Sequence, residues 1–286
     1  MIRVILQGGL GNQMFEYAAA YAAARRVSQP LVFDHSFFEV YGKREWCRPY
    51  ELDIFALHER VTFVGGHKWE VKLLPKIAFW CRRKGVEQLG KYVFLPVKSK
   101  KKDQVLFGYF PDYHLFAPYR DELLREFAFV SKPSAANEQL LKKIELCESV
   151  AVHIRRGDYL NSSNADVFWH PTTEWYRQAM AQMERQVEPR YFFFSDDIEW
   201  VKREFADVKQ AVFVDINHGK EAYNDLRLMS RCKHNIIANS TFSWWGAWLN
   251  SNPDKIVFAP ANYYMNEAAN ERYRRTMLPN DWITIS

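Results

Sequence analysis

Short apolar runs in this chain end repeatedly in a polar or glycine-rich cluster, and helical periodicity then takes over. No other feature constrains the fold as strongly. An apolar run of about four to six residues between turn signals reads as a buried strand, whereas a helix needs roughly twice that length. Ile2 to Leu6 is the first such run and is bounded by Gly8-Gly9. From Asn12 to Arg26, alanine is abundant and Leu10, Met14, Ala18, Tyr21 and Ala22 recur at spacings of three and four, which predicts a helix. Leu31-Val32-Phe33 is a second strand. Strand, glycine turn, helix and strand make a βαβ unit, so the chain opens as an α/β domain.

A second series begins near Ser149. Strands are predicted at Val150 to Ile154, Arg190 to Phe194, Ala211 to Val214, His234 to Ala238 and Ile256 to Pro260. Helices are predicted between them at Thr173 to Gln186, Ile198 to Phe205, Glu221 to Ser230 and Phe242 to Leu249. The two α/β halves, with a change near residue 146 and no internal repeat, fit two Rossmann-like domains facing a cleft. The expected division is 1–145 and 146–286. In the middle, Val105 to Phe110 resembles a strand and turn, and Asp121 to Phe127 and Ala135 to Cys147 read as helices. The stretch 68–102 mixes aromatic, aliphatic and basic residues and ends in Lys98-Ser99-Lys100-Lys101-Lys102. It reads as a solvated insertion, with docking on an anionic membrane surface or on an acidic glycan carrier as the alternatives.

Composition narrows the function classes. Of 286 residues, 48% are hydrophobic and 26% charged, the balance of a soluble globular protein. A net charge of +5 suits an anionic ligand but is too mild to argue for nucleic acid, and no zinc-finger or RNA-binding pattern is present. Cys47, Cys81, Cys147 and Cys232 form no C-x-x-C pair, so reduced thiols in a cytoplasmic protein are expected. No run of roughly 18 apolar residues occurs, so neither a signal peptide nor a transmembrane anchor is expected.

Three polar clusters in the second half each follow a predicted strand: His153 to Asp158, Ser195 to Asp197, and Asn239 to Ser243. Parallel strands would bring all three to the ligand-binding edge of one sheet. Arg155 and Arg156 stand side by side, and guanidinium groups match phosphate oxygens with fixed, bidentate donors. The alternative is a solvated surface turn. Asn239-Ser240-Thr241-Phe242-Ser243 precedes a helix, where hydroxyls and free N–H donors make an anion site or simply a cap. Asp196 and Asp197 could hold Mg²⁺, accept from a guanine edge or cap the next helix. No D-x-D triplet occurs, which disfavours a metal-dependent sugar-nucleotide site. Gly9-Leu10-Gly11 supplies two glycines of a dinucleotide fingerprint, but Met14 takes the third position, and no P-loop run is present. The turn instead places Asn12 and Gln13 at a helix start.

Four runs occur in order: Gly8-Gly9-Leu10-Gly11-Asn12-Gln13-Met14-Phe15, His153-Ile154-Arg155-Arg156-Gly157-Asp158-Tyr159, Phe194-Ser195-Asp196-Asp197, and Asn239-Ser240-Thr241-Phe242-Ser243-Trp244-Trp245-Gly246. Together with Gly108-Tyr109-Phe110, Leu228-Met229-Ser230 and Cys232-Lys233-His234-Asn235, they make the chain resemble glycosyltransferase family 11, the GDP-fucose-dependent α-1,2-fucosyltransferases of bacterial type. The resemblance implies a GT-B fold with an N-terminal acceptor domain and a C-terminal GDP-fucose domain. It also implies inverting transfer of L-fucose to the 2-hydroxyl of a terminal galactose, with no metal and no further cofactor. Arg155 and Arg156 should then meet the diphosphate, with His153 and Asp158 shaping their loop. Asp196 or Asp197 should read guanine, and Asn239, Ser240, Thr241 and Ser243 should form the phosphate turn. Asn12 becomes a catalytic candidate beside Arg155 and Asp158; no general base is nominated. The partners implied are GDP-fucose and a galactose-terminated glycan. Three rivals are another nucleotide-sugar transferase, a non-catalytic sugar-nucleotide or glycan-binding module, and a Rossmann dehydrogenase.

Overall fold

The computed structural model describes residues 1–45, 47–57, 68–95, 98–157 and 166–286, and the backbone alone of 62–64. Asp158 therefore lies outside the described residues. The chain divides into two compact units, Met1–Ser131 and Lys132–Ser286.

The first unit is built on a six-stranded sheet in the order β3-β2-β1-β6-β5-β4. Its strands are β1 (Ile2–Ile5), β2 (Leu31–Asp34), β3 (Thr62–Val64), β4 (Gln88–Leu89), β5 (Tyr92–Val93) and β6 (Gln104–Leu106). Neighbours run parallel except β4 and β5, which are antiparallel. The helices are α1 (Leu10–Val27), α2 (Ser36–Tyr41), α3 (Lys68–Arg83) and α4 (Arg120–Glu126). The predicted strand–turn–helix–strand opening is present as β1, α1 and β2. Burial on α1 reaches well beyond one stripe: Ala18, Ala20 and Ala22 are all fully buried. Small side chains let this helix be enclosed, and Tyr17 packs edge-on against Phe33 and Phe127, with ring centroids 5.5 and 5.4 Å apart.

The stretch 68–102 departs from the solvated insertion expected of it. It contains α3, which buries Val71, Leu74, Ala78 and Cys81 on one face, together with β4 and β5. Buried Arg3 on β1 fixes that helix, donating to Asp34 at 2.7 Å and to both carboxylate oxygens of Glu70 at 2.8 and 2.7 Å. The Tyr92 hydroxyl adds a bond to Glu70 at 2.7 Å. A buried guanidinium is tolerable only when paired in this way.

The second unit carries β7 (Ser149–Ile154), β8 (Arg190–Ser195), β9 (Val212–Phe213), β10 (His234–Ile236), β11 (Val257–Pro260) and β12 (Ile283–Ile285). Its helices are α5 (Ala135–Glu145), α6 (Thr173–Met183), α7 (Ile198–Glu204), α8 (Tyr223–Arg231), α9 (Thr241–Leu249) and α10 (Glu267–Met277). The sheet is wholly parallel, in the order β12-β11-β10-β7-β8-β9. Read from β9, this is the 3-2-1-4-5-6 order of a Rossmann unit. Val150, Val152 and Ile154 alternate along β7 into a core shared with Trp175, Met183, Phe193 and Phe205. Ala151, Phe192 and Phe194 on the opposite face are buried as well, which explains why these strands read as continuous apolar runs.

The unit boundary falls earlier than the change near residue 146. That change marks the start of β7, while α5 already packs on α8. Asn137 of α5 exchanges amide hydrogen bonds with Asn217 at 2.8 and 3.1 Å, tying the helix into the second unit. No described helix is long and apolar enough to cross a membrane.

Candidate active site

In the second sheet the chain proceeds from β7 through β8 to β9 on one side and from β10 through β11 to β12 on the other. The switch point therefore lies between β7 and β10, and ligands of such sheets bind outside the carboxyl ends of the strands there. Register sets what meets at that edge. His153 pairs with Phe194 and Ile154 with Ser195, so the turn after β7 runs beside the turn after β8.

Asp196 holds the β7 turn. Its carboxylate accepts from the N–H groups of Arg156 and Gly157, both at 2.9 Å, and ion-pairs with the Arg155 guanidinium at 3.2 Å. A Cβ on Gly157 would stand 2.7 Å from the same carboxylate, so the approach requires glycine. Asp197 caps α7 by accepting from the Trp200 N–H at 3.3 Å, and accepts from Arg156 Nε at 3.1 Å. The Arg156 guanidinium lies 3.7 Å from the centroid of the Trp200 ring. Each arginine thus has its own aspartate, and Arg156 is also stacked on an indole.

His153 is buried, and its Nδ1 has no hydrogen-bond partner among the described residues. Burial, and then the Arg155 charge, lower its pKa to about 4 against an opposing pull from Asp196. The imidazole is therefore neutral at physiological pH. Its ring lies 5.8 Å from that of Phe242 in the first turn of α9.

Ser240 caps α9, its hydroxyl accepting from the Phe242 N–H at 3.3 Å, and Thr241 follows partly exposed. No acidic residue occupies the first turn, so the positive end of the helix is not neutralised by its own side chains. Asn239 and Ser243, expected among the phosphate ligands, are buried and engaged within the fold. The Asn239 amide donates to the carbonyls of Trp169 and Tyr263, and the Ser243 hydroxyl donates to those of Ala238 and Ser240 at 3.4 and 3.3 Å. These bonds hold the turn before α9.

In the first unit, Gly8 adopts φ +74°, and a Cβ there would stand 2.9 Å from Asn12 Nδ2 and 3.0 Å from the Tyr109 ring. Asn12 thus packs over the glycine at the start of α1. Gln13 locks the turn, donating to the carbonyls of Gly8 and Pro49, both at 2.8 Å, and accepting from the Glu51 N–H at 3.0 Å. Glu16, fully buried, accepts from the Gln7 N–H at 2.9 Å, and burial raises its pKa far above the usual carboxyl range. Burial also raises Glu51, which accepts from the Leu10 N–H. Gly157, Trp200, Glu16 and Glu51 were not singled out from sequence. Only Gly157 carried a signal, directly following the paired arginines.

The sequence model of glycosyl transferase family 11 matches residues 90–286. The chain belongs to that family. Over 98% of its length it is 34% identical to the O-antigen biosynthesis glycosyltransferase WbnK of Escherichia coli, covering 99% of that protein. It is 31% identical to an alpha-1,2-colitosyltransferase of the same species, covering 98% of this chain and 97% of the other. The solved fucosyltransferase NodZ from Bradyrhizobium aligns with a TM-score of 0.58 at 14% identity, over 85% of this chain and 91% of its own; NodZ has also been solved after soaking with GDP-fucose. This family 11 chain is a glycosyltransferase with a GT-B-like fold, two Rossmann-like α/β units in succession.

Proposed function

We propose that the enzyme transfers L-fucose from GDP-β-L-fucose to the 2-hydroxyl of a terminal galactose, with inversion and without a metal. The observation that carries this reading is the pair of separately braced arginines at the switch point, next to the free positive end of α9. Arg155 and Arg156 take the diphosphate, with His153, Ser240 and Thr241 lining it. Asp196 and Asp197 hold the arginine turn and offer remaining lone pairs to guanine. Asn239 and Ser243 shape the phosphate turn. The first unit takes the acceptor, with Asn12 at its glycine turn.

In the reaction the fucosyl C1–O bond breaks and its electron pair leaves with the β-phosphate of GDP. The acceptor oxygen bonds to C1 from the opposite face and releases its proton to solvent. Negative charge grows on the phosphate as the bond opens, so a guanidinium aimed there stabilises the transition state more than the ground state. The neutral His153 adds no charge and leaves the arginines as the local cations.

The relation to a colitosyltransferase favours one second reading, transfer of colitose from its GDP sugar. Incubation with a galactoside panel and GDP-fucose, GDP-colitose, GDP-mannose or UDP-galactose, with and without chelator, separates these readings, with product linkage assigned by NMR. An α-1,2-fucosyl product formed equally well under chelation is expected. Preference for another donor, or loss of turnover on chelation, overturns the proposal.

A further inference from the structure

Helix α3 has two unlike faces. The inner one is anchored by Arg3, Glu70 and Tyr92 and buries Val71, Leu74, Ala78 and Cys81. The outer one carries Trp69, Lys72, Leu73, Lys76, Phe79, Trp80 and Arg83, spaced three and four apart on one stripe. Its large apolar side chains stand in solvent: Trp69 is 55% exposed, Leu73 45%, Phe79 64% and Trp80 54%. Large apolar groups gathered on one exposed face mark an interaction surface.

Charge identifies the occupant. Within 68–84 the cations are Lys68, Lys72, Lys76, Arg82, Arg83 and Lys84, and the single acid, Glu70, is buried against Arg3. Two copies of this face would bring like charges together. Lys101 donates to the Gly90 carbonyl at 3.0 Å, so the run Lys98 to Lys102 joins the β4–β5 turn, where Lys91 lies over Tyr92 and close to Glu70. Exposed indoles interleaved with lysines suit a headgroup layer, where the rings enter the acyl boundary and the cations meet lipid phosphate.

We propose that the outer face of α3 docks the enzyme on an anionic phospholipid surface. The buried Arg3–Glu70 pair fixes the helix so that this face stays outward. The assignment stands independently of which sugar is transferred.

The test is co-sedimentation of the full chain with vesicles of phosphatidylcholine alone and of phosphatidylcholine with phosphatidylglycerol. Binding is expected only to the anionic vesicles and should fade in high salt. Each cation near such a surface is worth about fivefold in binding. The double charge reversal Lys72→Glu/Lys76→Glu should therefore weaken binding by more than about 25-fold. Phe79→Ser/Trp80→Ser should weaken it by removing insertion. Both variants should keep the wild-type melting temperature and the turnover on a soluble acceptor. Equal binding to neutral vesicles, no binding to either, wild-type binding by both variants, or light scattering that shows this face buried in a dimer overturns the proposal.

Discussion

Replacing Asp196 by alanine should leave the second unit folded yet release the arginine turn. The carboxylate holds two backbone N–H groups at 2.9 Å and one guanidinium at 3.2 Å. Each backbone bond is worth about 1 kcal/mol net. The ion pair adds at most about 1 kcal/mol, because both side chains are about a quarter exposed and water screens them. Freed N–H groups at this edge can bind water, so no burial penalty follows. The loss is about 2–3 kcal/mol of order in the turn, which corresponds to roughly 30- to 150-fold weaker GDP binding when the ordered turn is the binding form. Asp196→Asn keeps one acceptor oxygen and should fall between, near about tenfold. Calorimetric titration with GDP reads the affinity and thermal melting checks the fold. If the alanine variant melts like wild type and still binds GDP within about threefold of it, the assignment of Asp196 as the brace of the arginine turn is wrong.

Arg155→Ala should lower turnover at saturating donor by two or more orders of magnitude, as expected for losing a donor worth about 3–4 kcal/mol; Arg155→Lys should also be impaired, because an ammonium lacks the fork. Gly8→Ala forces a side chain into φ +74° against Asn12, so turnover should fall while GDP affinity, which the proposed function assigns to the second unit, stays unchanged. Between pH 6.5 and about 4 the unfolded chain protonates His153 while the folded one does not, so stability is whole above 6.5 and falls by on the order of 3 kcal/mol across that window; His153→Phe should flatten the slope in urea melts. Asp225, raised from 3.8 to about 7 mainly by burial, acts with the opposite sign: its contribution is whole below 3.8 and is lost as pH climbs from there through 7, so Asp225→Asn should gain stability over wild type at pH 8.

How much of the fold could be read from sequence depended on whether apolar residues faced one way. β7 and β8 are buried on both faces, so Val150 to Val152 and Tyr191 to Phe194 showed as unbroken apolar runs. β4 and β5 are two residues long and β12 three, too short to carry a period. Helix α3 was hidden because Trp69, Leu73, Phe79 and Trp80 face outward and blur the stripe of Val71, Leu74, Ala78 and Cys81, and because Pro75 sits inside it. The membership of α5 was decided by its partner α8 and the Asn137–Asn217 pair, contacts across 80 residues that no local pattern encodes.

At the candidate site, sequence showed where the polar clusters converge, because a parallel sheet leaves little freedom once its strands are located. It did not show how the groups divide the work. Asp196 and Asp197 are neighbours with the same chemistry, yet one holds a turn through backbone N–H groups and the other caps a helix. Ser240 and Ser243 sit three residues apart, and only the first stands at the helix start, because the second lies inside the first turn and spends its hydroxyl on carbonyls behind it. The arginines show why this division matters. Two adjacent guanidinium groups repel each other, and one shared carboxylate would leave the other arginine without a direction. Giving each its own aspartate, with Trp200 beneath Arg156, aims both charges before any anion arrives. If the arginines take the diphosphate as proposed, it meets donors whose ordering cost folding has already met, and that ordering is the condition under which an arginine pair can stabilise a departing diphosphate.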